Sequence, residues 1–425
     1  MIKRIVIYVL GSLLCLMQMG CLDDSYTGTV FVKDYIDNTI PHEVRITIGG
    51  SNELSIFNKY STKGSGVIED LSKFSGRDFY VYAFNQDILT DYSVRNEDDS
   101  LRCLIDGSFD IPGSLAGRKA SFDNYTENVD WVDSDVPIYY PMYENEGHIY
   151  DFFAYYIDDI QLTNEQIHRN SYSVTLDIEI DGSQDIMSAK AMPTEKQLAS
   201  IKDERERLYQ EKHSYSYYTA SRNLHPNFEF YHQLVKLDFK LIPGGTPGTT
   251  KDVTVHKIEV ESRYKGSFNV ADKYDASNMG ITFSNEKTRF TLAEKDGSEF
   301  IPRVISTVNK HGVSTVGVIE DMGSFLVAPD REYFLHVYLS EEQPDFTLPI
   351  KENELHIFQG TDKSNPIPFV AGQKYLITLT VYGQMDIRVA AELGDWGDGG
   401  DAEYNPDEEL RPGKNQKQTI FTTIY

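Results

Sequence analysis

Short runs of alternating apolar and polar residues recur along most of this chain, and they constrain its fold more than any other feature. In SVTLDIEID (173–181), every second residue from position 174 is apolar, so one face of a strand would be buried while the other faced water. Aromatic residues make up 12% of the chain, and large flat side chains pack well across pleated strands. These patterns predict an all-β protein.

Turn-forming residues separate two further pairs of alternating runs. LVKLDFKLI (234–242) and VTVHKIEVES (253–262) flank a loop with proline and glycine, which predicts a hairpin or a connection between adjacent strands. KYLITLTVYG (374–383) and DIRVAAEL (386–393) meet at Gly383 and predict a second strand pair. Strands at this spacing favour β-sandwiches with one solvated face.

One segment departs from the strand pattern and predicts an amphipathic helix over residues 194–212. Thr194 and Gln197 have the spacing of a capping box, which satisfies backbone N–H groups at the start of a helix. The apolar positions at helical spacing are Leu198, Ile201, Leu208 and Tyr209. We expect this face to pack on its own domain rather than on a partner.

The length of the chain indicates how many domains it forms, and its charge excludes some classes of partner. A chain of 425 residues exceeds the usual size of one core and predicts two or three domains of roughly 150 residues. A polar stretch at 214–227 is the expected domain boundary. The predicted domains are 60–222 and 223–393. An amino-terminal segment over 21–59 precedes them, and an acidic linker with a β tail over 394–425 follows them. The formal net charge of −26 disfavours binding to nucleic acid or to an anionic membrane surface, because like charges repel.

The amino terminus is typical of an export signal over residues 1–20. Two basic residues precede an apolar stretch at 5–17 that is shorter than the ~17–20 residues needed to span a membrane. Gly20 and Cys21 resemble the lipobox of bacterial lipoproteins, in which the chain is cut before a cysteine that becomes lipidated, although Gln18 stands where leucine is usual. We therefore predict cleavage between Gly20 and Cys21 and lipidation of Cys21.

The sequence shows no pattern for catalysis and no histidine pattern of a zinc site. Histidines are scattered singly, the glycine-rich run 244–251 lacks the ending of a phosphate loop, and no nucleophile-elbow serine occurs. Cys103 lies in an apolar run and is interpreted as a buried hydrophobe rather than a reactive thiol. The acidic residues Asp395, Asp398 and Asp401 could bind calcium or belong to a solvated linker, which the sequence leaves open. We predict no cofactor and no enzymatic activity.

Six segments together resemble a known family. They are DFYVYAF (78–84), HIYDFFAYY (148–156), DGSQDIM (181–187), FYHQLVKLDFKL (230–241), FVAGQKYLITLTVYG (369–383) and DWGDGG (395–400). In this order they are similar to the fimbrillin-like lipoproteins that build type V pili in Gram-negative anaerobes of the gut and mouth. The resemblance implies two tandem β-sandwich domains of transthyretin-like fold, here with a helical insertion. It also implies an outer-membrane surface lipoprotein that assembles into fimbriae and supports adhesion.

The resemblance further implies an assembly mechanism. In that family a trypsin-like protease removes an amino-terminal strand, and the exposed groove accepts an extended strand from the next subunit. Candidate removable strands are TGTVFVKDY (27–35) and EVRITIGG (43–50), and candidate cleavage residues are Arg45, Lys59 and Lys63, among which the sequence does not choose. The carboxy-terminal run would be the donor strand, or would complete a sheet of its own subunit. The donor candidates are Thr419, Ile420, Phe421, Thr422, Thr423, Ile424 and Tyr425.

The sequence leaves the role open among shaft subunit, anchor and tip component. The expected partners are other fimbrial subunits, the outer membrane through the lipid, and a host or bacterial surface ligand. The main alternative from another class is a non-polymerising surface lipoprotein that binds glycans on an aromatic platform. A row of exposed, coplanar tyrosines would favour that alternative, whereas buried aromatics beside an apolar groove would favour a pilus component.

Overall fold

The computed structural model describes most of the chain between residues 42 and 394. The described ranges are 42–48, 74–123, 125, 128–132, 136–142, 148–158, 162–244, 252–294, 298–306, 322–340, 346–351, 369–383 and 386–394. Strands dominate these ranges, which confirms the predicted all-β class.

The first part of the chain consists of strands followed by a helical excursion. Its strands are β1 (Thr47–Ile48), β2 (Asp78–Asn85), β3 (Cys103–Ile105), β4 (Arg118–Asp123), β5 (Asn128–Trp131), β6 (Tyr150–Ile157), β7 (Ile167–Arg169), β8 (Ser173–Glu179) and β9 (Ile186–Lys190). The helices α1 (Glu195–Ala199), α2 (Glu204–Lys212) and α3 (Tyr217–Ala220) precede β10 (Asn227–Phe228) and β11 (Tyr231–His232).

The second part of the chain is built from strands joined by loops. They are β12 (Val235–Pro243), β13 (Asp252–Val255), β14 (Lys257–Arg263), β15 (Lys265–Asp272), β16 (Gly280–Phe283), β17 (Lys287–Thr291), β18 (Arg303–Ser306), β19 (Ser324–Val327), β20 (Glu332–Tyr338), β21 (Phe346–Lys351), β22 (Lys374–Gly383) and β23 (Asp386–Gly394).

An antiparallel sheet in the order β11-β9-β6-β2-β4-β5, with β3 also paired to β2, forms the largest layer. Aromatic side chains pack across its strands: the rings of Tyr80 and Tyr155, which are in register on β2 and β6, stack with centroids 5.0 Å apart. Phe152 and Phe153 on β6 are fully buried. The aromatic side chains of β6 therefore lie in the core and form cross-strand pairs.

A second sheet draws its strands from both parts of the chain, in the order β16-β15-β8-β7. On β8, Val174 and Leu176 are buried while Asp177 and Glu179 are exposed, as the alternation predicted. β8 pairs antiparallel with β15 along its whole length. The division into domains at residues 222 and 223 stays a prediction, and this sheet contains strands from either side of it.

Further sheets of the second part have the orders β19-β12-β22-β23, β17-β14-β20-β21 and β13-β18. β22 and β23 form the predicted pair, with an irregular register at Gly383. The predicted pairing of 234–242 with 253–262 is wrong. Both edges of β12 are occupied by β19 and β22, so the chain that follows β12 pairs elsewhere, β13 with β18 and β14 with β17 and β20.

The predicted helix over 194–212 is interrupted and forms α1 and α2. Its start is as predicted, because Thr194 and Gln197 form the capping box. The interruption has a local cause: the Asp203 carboxylate accepts a hydrogen bond from the N–H of Glu206 at 2.9 Å and begins a new helix.

The predicted apolar stripe on this helix is formed in part. Leu198, Ile201 and Tyr209 are half-buried, whereas Leu208 on α2 is 53% exposed and the buried residue of α2 is Gln210. The Tyr209 ring packs edge-on against Tyr218 with centroids 5.1 Å apart. Polar contacts also hold α2, since both the Gln210 amide and the Tyr218 hydroxyl donate to the Glu206 carboxylate at 2.7 Å. Within the described ranges, no helix is long and apolar enough to cross a membrane.

Candidate functional site

Residues 42–48 form an extended segment whose alternate side chains are buried. Val44, Ile46 and Ile48 have relative exposures of 2%, 6% and 8%, whereas Arg45 between them faces solvent. Branched side chains favour this extended conformation, because they pack well against a pleated surface. The alternation in EVRITIGG is therefore present where the structure describes it, and it directs one face of the segment into the core.

Backbone hydrogen bonds hold one side of this segment against residues 136–142. The N–H of Val44 donates to the carbonyl oxygen of Ile138 at 2.7 Å, and the N–H of Tyr140 donates to the carbonyl oxygen of His42 at 3.0 Å. These bonds are the pattern of an antiparallel pair. Residues 136–142 therefore act as one wall beside the segment.

The opposite wall is formed by residues 226–228. The N–H of Thr47 donates to the carbonyl oxygen of Pro226 at 2.8 Å, and β1 pairs in parallel with β10. The Thr47 hydroxyl also donates to the side-chain oxygen of Asn227 at 3.1 Å. We call the space between the two walls the strand groove, with residues 42–48 as its occupant.

The floor of the strand groove is an apolar cluster rich in aromatic rings. Buried members of this cluster include Phe74, Phe79, Ile138, Tyr140, Phe152, Phe228 and Phe230. Val44, Ile46 and Ile48 belong to the same cluster. Burial of a Val or Ile side chain contributes about 1.5–3 kcal/mol, so these three side chains stabilise the docked segment substantially. Without them, the groove would expose an apolar surface.

Arg45 is the predicted cleavage residue that lies within the described ranges. Its side chain is 68% exposed, and its Nε lies 3.8 Å from the Glu43 carboxylate. Because its neighbours in the chain are buried and hydrogen-bonded, cutting there requires the segment to leave the strand groove first. Other predicted residues lie outside the described ranges, namely Gly20, Cys21, Lys59, Lys63, Thr419–Tyr425 and the acidic trio Asp395, Asp398 and Asp401.

The described chain ends in a long edge strand. β23 pairs with β22, and no other strand of the described ranges pairs with its outer edge. An open edge presents backbone N–H and C=O groups that can accept a further strand. The predicted donor run follows this edge in sequence, after the acidic stretch that begins at residue 395.

The thiol of Cys103 is part of a buried ion-pair network. Arg169 donates to the carboxylate of Asp106, and their side chains are 2% and 0% exposed. The sulfur of Cys103 lies 3.3 Å from the same carboxylate, and burial raises the pKa of the thiol well above its ordinary range. A protonated thiol is a poor nucleophile, so Cys103 is structural, as predicted. Within the described ranges, no group of His, Cys, Asp and Glu side chains could hold a metal ion.

The sequence did not identify the walls of the strand groove. In VPIYY (136–140), Ile138 and Tyr140 are buried while Val136 and Tyr139 are exposed. All five residues are apolar or aromatic, so the sequence has no alternation that would predict which of them face the groove. The wall at 226–228 has no local signal either, because the two-residue strand β10 is recognisable only through the partner it pairs with.

The chain matches a model of a known protein family. The family model described as fimbrillin-like matches residues 114–396, about two thirds of the chain. No curated protein sequence matches the chain.

Solved structures of low sequence identity align over most of the chain. A Bacteroides uniformis protein assigned to cell adhesion is 17% identical, with 81% of this chain and 100% of that chain covered and a TM-score of 0.41. A fimbrial protein from Bacteroides vulgatus is 12% identical, with coverage of 83% and 99% and a TM-score of 0.41. The fimbrial anchor protein Mfa2 from Porphyromonas gingivalis is 9% identical, with coverage of 80% and 91% and a TM-score of 0.29.

Proposed function

Because the chain belongs to the fimbrillin-like family, we propose that it is a component of surface fimbriae that assembles by strand complementation. Membership of this family makes the chain a fimbrial or cell adhesion protein. The finer proposal is a structural subunit, or an accessory anchor or tip component, that is held at the outer membrane by a lipid and binds other fimbrial subunits.

The segment at 42–48 in the strand groove is the observation that supports this proposal. Its contacts are backbone hydrogen bonds to both walls and alternate apolar side chains in the floor. An extended strand from another subunit can reproduce both kinds of contact, because neither depends on a particular sequence beyond the alternation. Loss of the segment would expose apolar surface and unpaired backbone groups, and an incoming strand would cover both.

The candidate cleavage residues differ in what they would release. A cut after Arg45 would leave the second half of the 42–48 segment attached to the chain that forms the groove. A cut after Lys59 or Lys63 would separate the whole segment from that chain. We propose cleavage at Lys59 or Lys63, because these cuts free all three buried side chains together.

Deletion of Thr419–Tyr425 is expected to stop polymerisation while proteolytic processing continues. The run QTIFTTIY is rich in β-branched and aromatic residues, as a donor strand would be, and its removal leaves the next subunit's groove without an occupant. Subunit ladders on denaturing gels after trypsin treatment measure this effect, and we expect them to disappear.

A deletion of residues 411–417, which has the same length and keeps the donor run, is the matched control and should still form ladders. Ladders at the wild-type level from the protein that lacks Thr419–Tyr425 would rule this run out as the donor.

Cys21→Ala is expected to abolish acyl labelling and to release the protein from the membrane fraction. Each buried methylene of an acyl chain contributes about 0.8 kcal/mol to membrane binding, so two or more chains anchor a protein stably. Metabolic labelling with a palmitate analogue, followed by fractionation, measures both effects. Cys15→Ala, which changes a cysteine inside the signal, should label normally, and unchanged labelling of Cys21→Ala would refute the attachment site.

A further inference from the structure

Three turns bring exposed apolar side chains to one surface of the protein. Ile88 and Leu89 follow β2, Tyr172 lies between β7 and β8, and Tyr274 follows β15, with exposures of 82%, 68%, 48% and 74%. The rings of Tyr172 and Tyr274 lie 6.2 Å apart between centroids, with an angle of 30° between their planes. We call these four residues the tyrosine platform.

Backbone hydrogen bonds fix both tyrosines in place. The side-chain oxygen of Asn170 accepts from the N–H of Tyr172 at 2.9 Å, and the Asp272 carboxylate accepts from the N–H of Tyr274 at 3.0 Å. The N–H of Lys273 donates to the carbonyl oxygen of Tyr172 at 2.9 Å and joins the two turns. Fixing the backbone before a ligand arrives lowers the entropic cost of binding.

The Lys273 side chain attaches the loop after β2 to the same surface. Its amine donates to the carbonyl oxygens of Ile88 and Thr90, both at 2.6 Å. Arg102 donates to the carbonyl oxygen of Leu89 at 2.7 Å. The backbone that carries the two exposed aliphatic residues is therefore tied to the turn that carries Tyr274.

Several exposed apolar residues held near one another on a fixed backbone can form an interaction site, whereas single exposed apolar residues are ordinary. Each tyrosine ring has an apolar face and a polar hydroxyl, which matches a sugar ring with its C–H face and hydroxyl edge. The two neighbouring rings offer stacking positions for such faces. Sugar hydroxyls can donate hydrogen bonds to carboxylates that lie next to the platform in sequence, namely those of Asp87, Asp91 and Asp275.

We propose that the tyrosine platform binds a neutral carbohydrate. Four carboxylates beside it, on Asp87, Asp91, Asp272 and Asp275, outnumber the cations of Lys273 and Arg102 at the same surface. In a chain of net charge −26 this excess repels anionic sugars, so the expected ligand carries no carboxylate or sulfate. This binding is separate from strand complementation, because the platform shares no residue with the strand groove or with the donor run.

An array of immobilised neutral and sialylated oligosaccharides, probed with the purified full-length protein in detergent, tests the proposal. Wild type is expected to bind neutral oligosaccharides, and Tyr172→Ala/Tyr274→Ala is expected to weaken that binding about tenfold or more, as the loss of two aromatic contacts would. Tyr172→Phe/Tyr274→Phe keeps the ring faces and should retain most of the binding. Tyr125→Ala is the matched control, because Tyr125 is 98% exposed on a turn away from the platform.

Three results would overturn the proposal: no array binding by wild type, equal binding by the double alanine variant, or a preference for sialylated oligosaccharides. A double alanine variant that binds the array normally but loses self-association in ultracentrifugation would assign the platform to protein contacts instead. Ladder formation after trypsin treatment should be the same for all these variants. A failure of carbohydrate binding is thereby distinguishable from a failure of strand complementation.

Discussion

A disulfide between positions 43 and 139 is expected to block assembly, and a reductant that breaks the disulfide is expected to restore it. Glu43 and Tyr139 face each other across the bridge between the docked segment and the groove wall. The hydrogen bonds on either side make them a non-hydrogen-bonded antiparallel pair, in which the Cα atoms are about 4.5 Å apart. A disulfide can span that distance, and both side chains are partly exposed between the buried Val44 and Ile138, so cysteines there replace no fully buried side chain.

The experiment compares oxidised and reduced Glu43→Cys/Tyr139→Cys protein after trypsin treatment. The oxidised protein should be cut but form no ladders, because the released segment stays covalently tied in the strand groove. Dithiothreitol should restore ladders, and each single cysteine variant should form them under both conditions. If the oxidised protein polymerises normally, with its disulfide verified by mass spectrometry, then the segment does not have to leave for assembly.

Arg169→Met is expected to lower the free energy of unfolding by about 3–5 kcal/mol, the range for breaking one side of a buried ion pair. The change leaves the Asp106 carboxylate buried without its cation. It also removes the hydrogen bonds from Arg169 to the carbonyl oxygens of Tyr92 and Val94. Urea unfolding followed by tryptophan fluorescence or circular dichroism measures the loss.

Two variants separate the buried pair from a general effect of losing an arginine. Arg95→Ala removes a guanidinium that pairs with Glu97 and Asp98 at a partly exposed site, and should cost no more than about 1 kcal/mol. Arg169→Met/Asp106→Asn removes both charges and should recover part of the loss. If Arg169→Met lowers the free energy of unfolding as little as Arg95→Ala does, the buried pair does not anchor residues 92–94.

The strands could be predicted from sequence because side-chain alternation is a local property. The runs that became β8, β22 and β23 were identified for this reason. Strand partners could not be predicted in the same way, since β12 and β13 carry the same kind of pattern and pair in different sheets. Lys236 shows a related failure: it occupies a polar position of an alternating run, yet it is 2% exposed and its amine lies 3.6 Å from the Asp238 carboxylate.

The candidate site was predictable to a similar extent. The segment at 42–48 follows a local alternation, so it was identified, but the wall at 226–228 depends on contacts between residues about 180 positions apart, as in the bond from Thr47 to Asn227. Tyr172 and Tyr274 were not identified at all. Turn residues have no periodicity, and an exposed pair becomes visible only when the fold brings two turns together.

The sheet shared by both parts of the chain has a mechanical consequence. The chain crosses from the first part to the second between β11 and β12, and the seven paired positions of β8 and β15 add a second connection. A single crossing can act as a hinge, whereas a crossing braced by a paired strand resists bending and twisting. In a fibre built as we propose, each subunit would behave as a stiff unit. Flexibility would then concentrate at the joints, where the exchanged strand passes from one subunit to the next.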